Sequence, residues 1–344
     1  MTAVTRVAGP ASGSRMQRIR ARLLGAAAWL ACRLPEPVMA AMAHVAGAIW
    51  YRATPARAEQ ARLNLRRVVG HLAAAGAGGS GRRAAATDPA ALERLVQEAY
   101  RQAVRYYLDM VRVAAGTRLL SGRFVIETPD VVDRALATGG SMILVGLHFG
   151  ALELPALYLA QRSGRQIVVP METLPDPALQ SWLVRTRSKS GVRIVGLGEA
   201  RREMAAAIGR HEIIGLIGDR DLSGAGTPVS LFGIPARLPV GPALFAIEAG
   251  VPVYVGAVRR DRQGRWIGQL HQVPVPVSGT RRERLTVTLE AIARAFEALI
   301  AEAPEQWWTL FFPIWDDLVS GGARRPAKRV KDAPADGAPE GGVP

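Results

Sequence analysis

The hydrophobic pattern of the first fifty residues predicts two short helices. Apolar residues dominate 23–32 and 38–51, and the segment 33–37 between them holds two prolines, which end one helix and begin the next. Neither stretch has the roughly 20 apolar residues that a bilayer crossing needs. Arginines precede the first stretch and Trp29 and Trp50 lie within the pair, a makeup that suits a hairpin in a membrane interface. An ordinary helical hairpin packed on the core and a cleaved signal peptide are the alternatives.

Two longer helices are predicted next, over residues 56–71 and 90–115, because apolar residues recur there at helical spacing. Residues 73–89 between them are mostly Ala, Gly, Ser and Arg, a composition that predicts a flexible surface loop. Together with the hairpin, these segments predict an N-terminal helical region over residues 15–122.

Beyond residue 123 short β-rich runs alternate with helical segments, which predicts an α/β core over residues 123–318. Strands are expected at 142–146, 166–169, 193–195, 213–217, 229–232, 251–258 and 266–270. Helices are expected at 131–137, 151–162, 177–190, 200–210, 241–249 and 281–303. Residues 1–14 and 319–344, rich in small, turn-forming and charged types, are predicted to be disordered tails.

The net charge of +15 narrows the class of partner. Residues 1–22 carry five arginines and no acid, and residues 319–344 add a net two positive charges, so about half of the excess lies near the ends. The rest suits an anionic partner such as a lipid surface, a phosphorylated cofactor or nucleic acid. No zinc-finger spacing, RNA-binding aromatic motif or basic heptad region is present, which argues against nucleic acid. A single cysteine, Cys32, excludes an internal disulfide and fits a reducing compartment.

Candidate chemistry begins after the strand at 142–146, which is apolar on both faces and therefore central. His148 and Glu153 follow at its carboxyl end, where open α/β sheets bind ligands. On a continuous helix the two would be rotated about 140° apart. A sharp turn at Gly150 would let Glu153 fold back toward the imidazole, so that His148 is a general base and Glu153 its orienting carboxylate. Alternatively, His148 is a satisfied polar group and Glu153 favours a helix N-terminus.

A second charged cluster, Asp219, Arg220 and Asp221, follows the apolar strand predicted at 213–217. Arg220 is a candidate to bind a phosphate of coenzyme A or of a lipid head group. Asp219 or Asp221 would orient Arg220 or a substrate hydroxyl. The alternative for each aspartate is an internal salt bridge that closes a loop.

The segment 232–242 is rich in Gly and Pro and is predicted to be a stiff loop whose backbone amides face an anion or oxyanion. Gly233 and Arg237 lie in it, and Arg237 is a second candidate contact for a phosphate or an acyl carrier. The alternative is a simple turn before a helix. No Gly-x-Ser-x-Gly motif of a serine hydrolase occurs, and the other four histidines have no metal-ligand spacing.

In this order, these segments resemble the lysophospholipid acyltransferase-like superfamily, and within it the bacterial lipid A and actinobacterial phosphatidylinositol mannoside acyltransferases. The resemblance covers residues 56–317 and rests on a His-x-x-x-x-Asp/Glu motif at 148–153 and on the segments 218–223, 231–233 and 236–243. It implies base and partner roles for His148 and Glu153, although Glu153 stands where many members have Asp.

The resemblance further implies a mixed, largely parallel central sheet flanked by helices and a hydrophobic groove for an acyl chain. It implies acyl-coenzyme A as donor substrate, no cofactor or metal, and attachment to the inner leaflet at the cytoplasmic face of the cell membrane. The expected reaction transfers a long acyl chain, such as palmitoyl, to a mannose hydroxyl of a phosphatidylinositol mannoside. Acylation of a lipid A precursor and a catalytically inactive lipid-binding protein of the same fold are the alternatives. The sequence does not indicate an oligomeric state.

Overall fold

The computed structural model describes residues 15–77, 79–115, 124–188, 191–221 and 224–318. The predicted tails and the residues that join the helical region to the core lie outside these ranges. In the described part the N-terminal region is helical: α1 (Arg15–Ala31), α2 (Glu36–Ala53), α3 (Pro55–Ala74), α4 (Ser80–Ala84) and α5 (Pro89–Ala115). The four helices predicted from the hydrophobic pattern are thus confirmed, three of them with proline in the first turn, where its missing N–H is tolerated.

The segment 73–89, predicted to be a flexible loop, is partly helical. It contains the end of α3 and helix α4, which is held to the rest of the protein by an ion pair between Arg82 and Glu305 at 3.1 Å. Ala85 directly after α4 is buried in the core. A composition of small residues was therefore a poor guide here, because Ala and Gly also allow a short helix to approach the core closely.

The core is α/β, as predicted. Its strands are β1 (Phe124–Ile126), β2 (Met142–Gly146), β3 (Ile167–Met171), β4 (Val192–Gly196), β5 (Ile213–Ile217), β6 (Thr227–Leu231), β7 (Ile234–Leu238), β8 (Val253–Arg260) and β9 (Trp266–Val273). Its helices are α6 (Pro129–Ala137), α7 (Leu154–Ser163), α8 (Pro177–Ser188), α9 (Ala200–Gly209), α10 (Gly241–Ala249) and α11 (Arg281–Glu302).

Seven of these strands form one sheet in the order β1-β9-β8-β2-β5-β3-β4. Every pairing in it is parallel except that between β8 and β9. The sheet is therefore mixed and mostly parallel, and helices cover both of its faces. Alternate residues of β2 enter two separate hydrophobic clusters, Ile143 and Val145 on one face and Met142 and Leu144 on the other. Burial on both faces explains why this strand has no polar alternation.

The strand predicted at 229–232 is real but does not join the main sheet. It is β6, which pairs only with β7 in a separate antiparallel hairpin. Phe232 and Gly233 form its two-residue turn with φ values of 51° and 76°, as a hairpin of this length requires. The stiff loop predicted over 232–242 is thus a hairpin turn, a strand and the start of α10.

The helical region packs tightly on the core. A Cβ added at Gly47 of α2 would lie 2.9 Å from the Cα of Arg101 on α5, so only glycine lets these helices approach so closely. At the start of α2, the Glu36 carboxylate accepts a hydrogen bond from Arg105 on α5 at 2.5 Å and from Arg260 at the end of β8 at 3.2 Å. Asp109 also pairs with both arginines, so this largely buried network joins α2, α5 and the sheet and gives each of its charges more than one partner.

Helices α1 and α2 also carry an exposed apolar surface. Large hydrophobic side chains that are more than two-fifths exposed occur along both helices: Met16, Ile19, Leu23, Trp29, Leu30, Val38, Met42, Val45 and Ile49. Across the described ranges, no helix combines the length and apolar character that spanning a membrane requires.

Candidate active site

The loop after β2 is held from several sides. The backbone N–H of His148 donates to Asp219 Oδ2 at 3.0 Å, and the His148 carbonyl accepts from the Trp308 N–H at 3.0 Å. Gly150 has φ 51°, and a Cβ there would lie 2.1 Å from the carbonyl oxygen of Val258. Glycine is therefore required for the turn that ends the loop, as the sequence indicated.

The carboxylate that contacts the His148 ring belongs to Asp219, and the partner expected from the sequence, Glu153, has other contacts. His148 Nδ1 lies 2.8 Å from Asp219 Oδ1. Strands β2 and β5 are parallel neighbours with Gly146 opposite Ile217, so the residues that follow each strand meet at the same edge. Because an ionised carboxylate only accepts hydrogen bonds, Nδ1 carries the proton and Nε2 is the basic nitrogen.

Asp219 is built to remain ionised although it is almost completely buried. Besides the two His148 contacts, its Oδ2 accepts from Trp307 Nε1 at 2.8 Å and from Thr309 Oγ1 at 2.7 Å. Burial alone would raise the pKa of Asp219, but the charge of His148 and these hydrogen bonds outweigh it and lower the pKa. Four donors thus hold a charged carboxylate in one position behind the imidazole.

The same pair sets the basicity of His148. Burial alone would lower the pKa of its imidazole, but the charge and the hydrogen bond of Asp219 outweigh burial, so the pKa is raised above its ordinary value. The positive charge of Arg220 opposes this rise, and the negative charge of Glu153 adds to it. His148 is therefore a stronger base than a free histidine, and a group suited to take a proton near neutral pH.

Glu153 lies just before α7, which begins at Leu154, and its carboxylate Oε1 accepts from Tyr106 Oη at 3.2 Å and from Arg187 Nη2 at 3.1 Å. After the turn at Gly150 the chain carries Glu153 toward α5 and α8. Its influence on His148 is therefore one of charge, and its hydrogen bonds join the core to the helical region. Burial, followed by the Glu153 charge, raises the pKa of Tyr106 well above its ordinary value, so its hydroxyl is a donor.

Of the other predicted site residues, the structure brings one to the site. The Arg220 guanidinium carbon lies 3.7 Å from the centroid of the Phe312 ring, close enough to His148 for its charge to be felt. Asp221 accepts hydrogen bonds from the N–H groups of Gly224 and Gly226 and so closes its own loop.

The remaining two predicted residues lie in or next to the β6–β7 hairpin. Arg237 donates to the carbonyl of Gly226 at 3.1 Å, and Gly233 forms the hairpin turn against His71. Asp221, Gly233 and Arg237 are absent from the walls of both cavities beside His148. Their substrate-binding roles stay predictions, and the contacts found for them are those of a structural hairpin and loop.

Two cavities adjoin the loop that carries His148. The first, of about 280 Å³, is bounded by Gly146, Leu152 and Glu153 near His148. It extends across four neighbouring strands and is covered by two helices, with walls that include Leu144, Leu216, Val169, Ile194, Leu157 and Trp182. Its walls are mostly apolar, with the ion pair of Glu153 and Arg187 among them, so it suits a hydrocarbon chain.

The second cavity, of about 90 Å³, is polar and aromatic. His148 lines it directly, together with Arg57 of α3, Arg220, and aromatic rings from α2, α5 and residues 308–312. Tyr106 lines this cavity and donates to Glu153, which lines the first, so the Tyr106–Glu153 hydrogen bond lies between the two.

Sequence reasoning missed Tyr106 and Trp308. Tyr106 lies in the long helix predicted over 90–115 but was not one of the positions assigned to its apolar face, so nothing in that pattern marks it. Trp308 belongs to the run 307–315, which holds five aromatic residues and begins five positions after the end of α11. Such a density of aromatic side chains was the one signal that could have pointed to a site. In the part of the chain that the structure describes, no group of three or more His, Cys, Asp or Glu side chains is placed to hold a metal ion; that the chemistry needs none stays a prediction.

Comparison with known proteins gives a consistent result. The sequence profile of a family described as bacterial lipid A biosynthesis acyltransferase matches residues 12–315. The chain is similar to the phosphatidylinositol mannoside acyltransferase of Mycobacterium tuberculosis (strain H37Rv), with 28% identity over 297 residues, 84% of this chain and 87% of that protein. It is also similar to the protein of the same name from Mycolicibacterium smegmatis, with 29% identity over 300 residues, 84% of this chain and 90% of that protein.

Proposed function

This chain belongs to the bacterial lipid A biosynthesis acyltransferase family, and we propose that it transfers a long-chain fatty acyl group from acyl-coenzyme A to a mannose hydroxyl of a phosphatidylinositol mannoside. The family makes the chain an acyltransferase, and the names of its relatives suggest the acceptor. One observation carries the proposal. His148, polarised by buried Asp219, lines a polar pocket, and the residues on either side of its loop line an apolar cavity.

In the proposed reaction His148 Nε2 removes the proton of the acceptor hydroxyl as the hydroxyl oxygen attacks the thioester carbonyl. Asp219 holds the Nδ1 proton and stabilises the imidazolium that forms. When the tetrahedral intermediate collapses, the carbon–sulfur bond breaks and coenzyme A leaves as a thiolate, which takes the proton back from the imidazolium. The products are the acyl ester and free coenzyme A, and His148 returns to its neutral form.

The donor's acyl chain would occupy the apolar cavity. That cavity runs from β2 across β5 and β3 to the edge strand β4, a distance of three inter-strand spacings or roughly 14 Å. Helix α8, which has no buried residue, covers it. A tail that leaves the thioester beside Glu153 would therefore lie across the sheet beneath α8.

A lipid acceptor also has to reach the site, and the exposed apolar surface of α1 and α2 is suited to lie on the inner leaflet of the cell membrane. Leu23 and Trp29 are 63% and 58% exposed, and the exposed Arg20 and Arg33 lie on the same helix or just beyond it. Such a surface favours an anionic bilayer. Replacing Leu23 and Trp29 with Ser should reduce sedimentation with vesicles of phosphatidylglycerol and phosphatidylcholine. Retention of full vesicle binding by this variant would contradict the proposal that the surface binds the membrane.

The test of the reaction is an assay of purified full-length protein with palmitoyl-coenzyme A and three acceptors in detergent micelles. We expect acyl transfer to phosphatidylinositol mannosides, detected by mass spectrometry, and none to phosphatidylinositol itself. Transfer only to a lipid A precursor would replace the proposed acceptor. An absence of thioester cleavage with every acceptor would instead favour a lipid-binding protein that keeps the fold alone.

A further inference from the structure

The smaller cavity, which His148 lines directly, has a chemical character of its own. We propose that this acceptor pocket binds the head group of the acceptor as an anionic glycoside, with a sugar ring against its aromatic wall and a phosphate diester at Arg57 and Arg220. The acceptor pocket is defined by Trp50, Arg57, Tyr107, Arg220, Trp308 and Phe312. The inference rests on the proposed function and assigns the residues that select its acceptor.

The first observation is charge. The guanidinium carbons of Arg57 and Arg220 lie 5.7 Å and 3.7 Å from the centroid of the same ring, that of Phe312. No carboxylate lines the pocket among the residues that the structure describes there. A phosphate diester has the charge and the oxygen geometry that guanidinium groups bind best.

The second observation is an aromatic ring beside the base. Trp308 lines the pocket and packs edge-on against His148, with ring centroids 4.8 Å apart. A sugar ring that packs on this aromatic wall would bring its hydroxyl groups close to the base.

The third observation is rigidity. The buried side chain of Asn64 on α3 donates to the backbone carbonyls of Leu310 and Phe312, each at 2.8 Å. Arg57 lies two turns earlier on the same helix, so one element carries the cation and fixes the aromatic wall. A pocket held in this way loses little freedom when a ligand binds, which favours selective recognition.

Phosphate could also come from the donor, because coenzyme A carries several phosphates. The two sources differ in which substrate's KM responds to loss of the arginines. The decisive variant is Arg57→Gln, since Arg57 lies on α3 and not on the loops that carry His148 and Asp219, and Arg66→Gln is the matched control on the exposed face of the same helix.

Steady-state rates of full-length protein should show a KM for the phosphatidylinositol mannoside raised about tenfold or more in Arg57→Gln, the loss of one charge-assisted contact. The kcat and the KM for palmitoyl-coenzyme A should stay within about twofold of wild type, and Arg57→Lys should recover part of the loss. A raised KM for palmitoyl-coenzyme A with an unchanged acceptor KM would overturn the assignment in favour of the donor.

A binding measurement without turnover separates this inference from the proposed function. The probe is the deacylated head group, glycerophosphoinositol dimannoside, followed by tryptophan fluorescence in the absence of donor. We expect saturable quenching that is weakened in Arg57→Gln, and much weaker binding of neutral methyl α-mannoside. Probe binding without transfer to any glycolipid would refute the function and keep the pocket. Normal transfer with no dependence of probe binding on Arg57 would refute the pocket and keep the function.

Discussion

The two cavities beside His148 differ in chemistry and in origin. The apolar cavity is built mainly from strands and helices of the α/β core, whereas the acceptor pocket is built from α2, α3, α5 and residues 308–312. The cavity that suits a hydrocarbon tail and the pocket that suits a charged head group therefore adjoin the same base, His148. The helical region thus contributes half of the site in addition to its exposed apolar surface.

The apolar cavity and the acceptor pocket should also differ in how strictly they select their substrates. Apolar burial is non-directional and proportional to area, so a cavity of this kind tolerates changes of a methylene or two. Charged and polar contacts are directional, and a head group that leaves them unpaired is rejected strongly. We therefore expect tolerance toward acyl-chain length and strictness toward the acceptor. Variants in the apolar cavity and near the acceptor pocket can test this contrast, and His148 serves both.

The largest effect should come from His148→Ala, which removes the base that serves both cavities. We expect the transfer rate to fall on the order of 10³-fold, the usual contribution of a positioned general base. His271→Gln, in a strand distant from the site, is the matched control and should keep the wild-type rate. Full transfer by His148→Ala, measured by release of free coenzyme A, would refute the mechanism.

The next largest effect should come from the carboxylate on Nδ1. Asp219→Asn should reduce kcat on the order of 10²-fold or more, because the imidazolium loses its counter-charge, whereas Glu153→Gln should cost about tenfold. Loss of the Asp219 charge also lowers the pKa of His148, so the acid limb of the pH profile should move to lower pH. A larger loss in Glu153→Gln, with thermal unfolding unchanged in both, would restore Glu153 as the direct partner.

This pair of carboxylates shows what the sequence could and could not predict. The strands predicted at 142–146 and 213–217 coincide with β2 and β5, because each is an apolar run long enough for one strand and followed by polar residues. The sequence did not say that these two strands, some 70 residues apart, are neighbours. That pairing alone decides that Asp219, and not nearby Glu153, reaches the imidazole.

The same limit explains why the sequence did not reveal the acceptor pocket. Tyr106 contacts a residue 47 positions away, and Asn64 holds carbonyls more than 240 positions away. Hydrophobic periodicity assigned both residues to helices correctly, but it carries no information about which helix face meets which loop. Residues 229–232 show the converse. Their β-rich run was recognised as a strand, but the strand that pairs with it, β7, follows directly in a segment rich in glycine and proline and was taken as a loop.

A smaller effect is expected at the far end of the apolar cavity. Ile194→Phe on the edge strand β4 should shorten the space for the tail and reduce transfer of a 16-carbon chain about tenfold, while transfer of a 10-carbon chain stays near wild type. Val125→Phe, at an exposed position on the opposite edge strand, is the matched control. Equal losses for both chain lengths would show that the tail does not lie across the sheet.

Removal of the Tyr106 hydroxyl, which lies between the two cavities, should reduce the transfer rate less. Tyr106→Phe keeps the ring that packs on Trp308 but removes the hydrogen bond to Glu153, a loss of about 1 kcal/mol or roughly fivefold in rate. Tyr158→Phe, on α7 and outside the walls of both cavities, is the control. A Tyr106→Phe enzyme with wild-type kcat and KM for both substrates would mean that this contact is structural only.

The smallest expected effect is a displacement of the pH profile, measured after each variant's rates are normalised to their own maximum. Only neutral His148 accepts a proton, so the normalised kcat/KM must fall as pH drops through its raised pKa. The positive charge of Arg220 opposes that rise, so Arg220→Gln should move the acid limb to higher pH. The Glu153 charge supports the rise, so Glu153→Gln should move the limb to lower pH. Acid limbs displaced in opposite directions would support opposite effects of the Arg220 and Glu153 charges on the pKa of His148. Displacement in the same direction in both variants would contradict these effects.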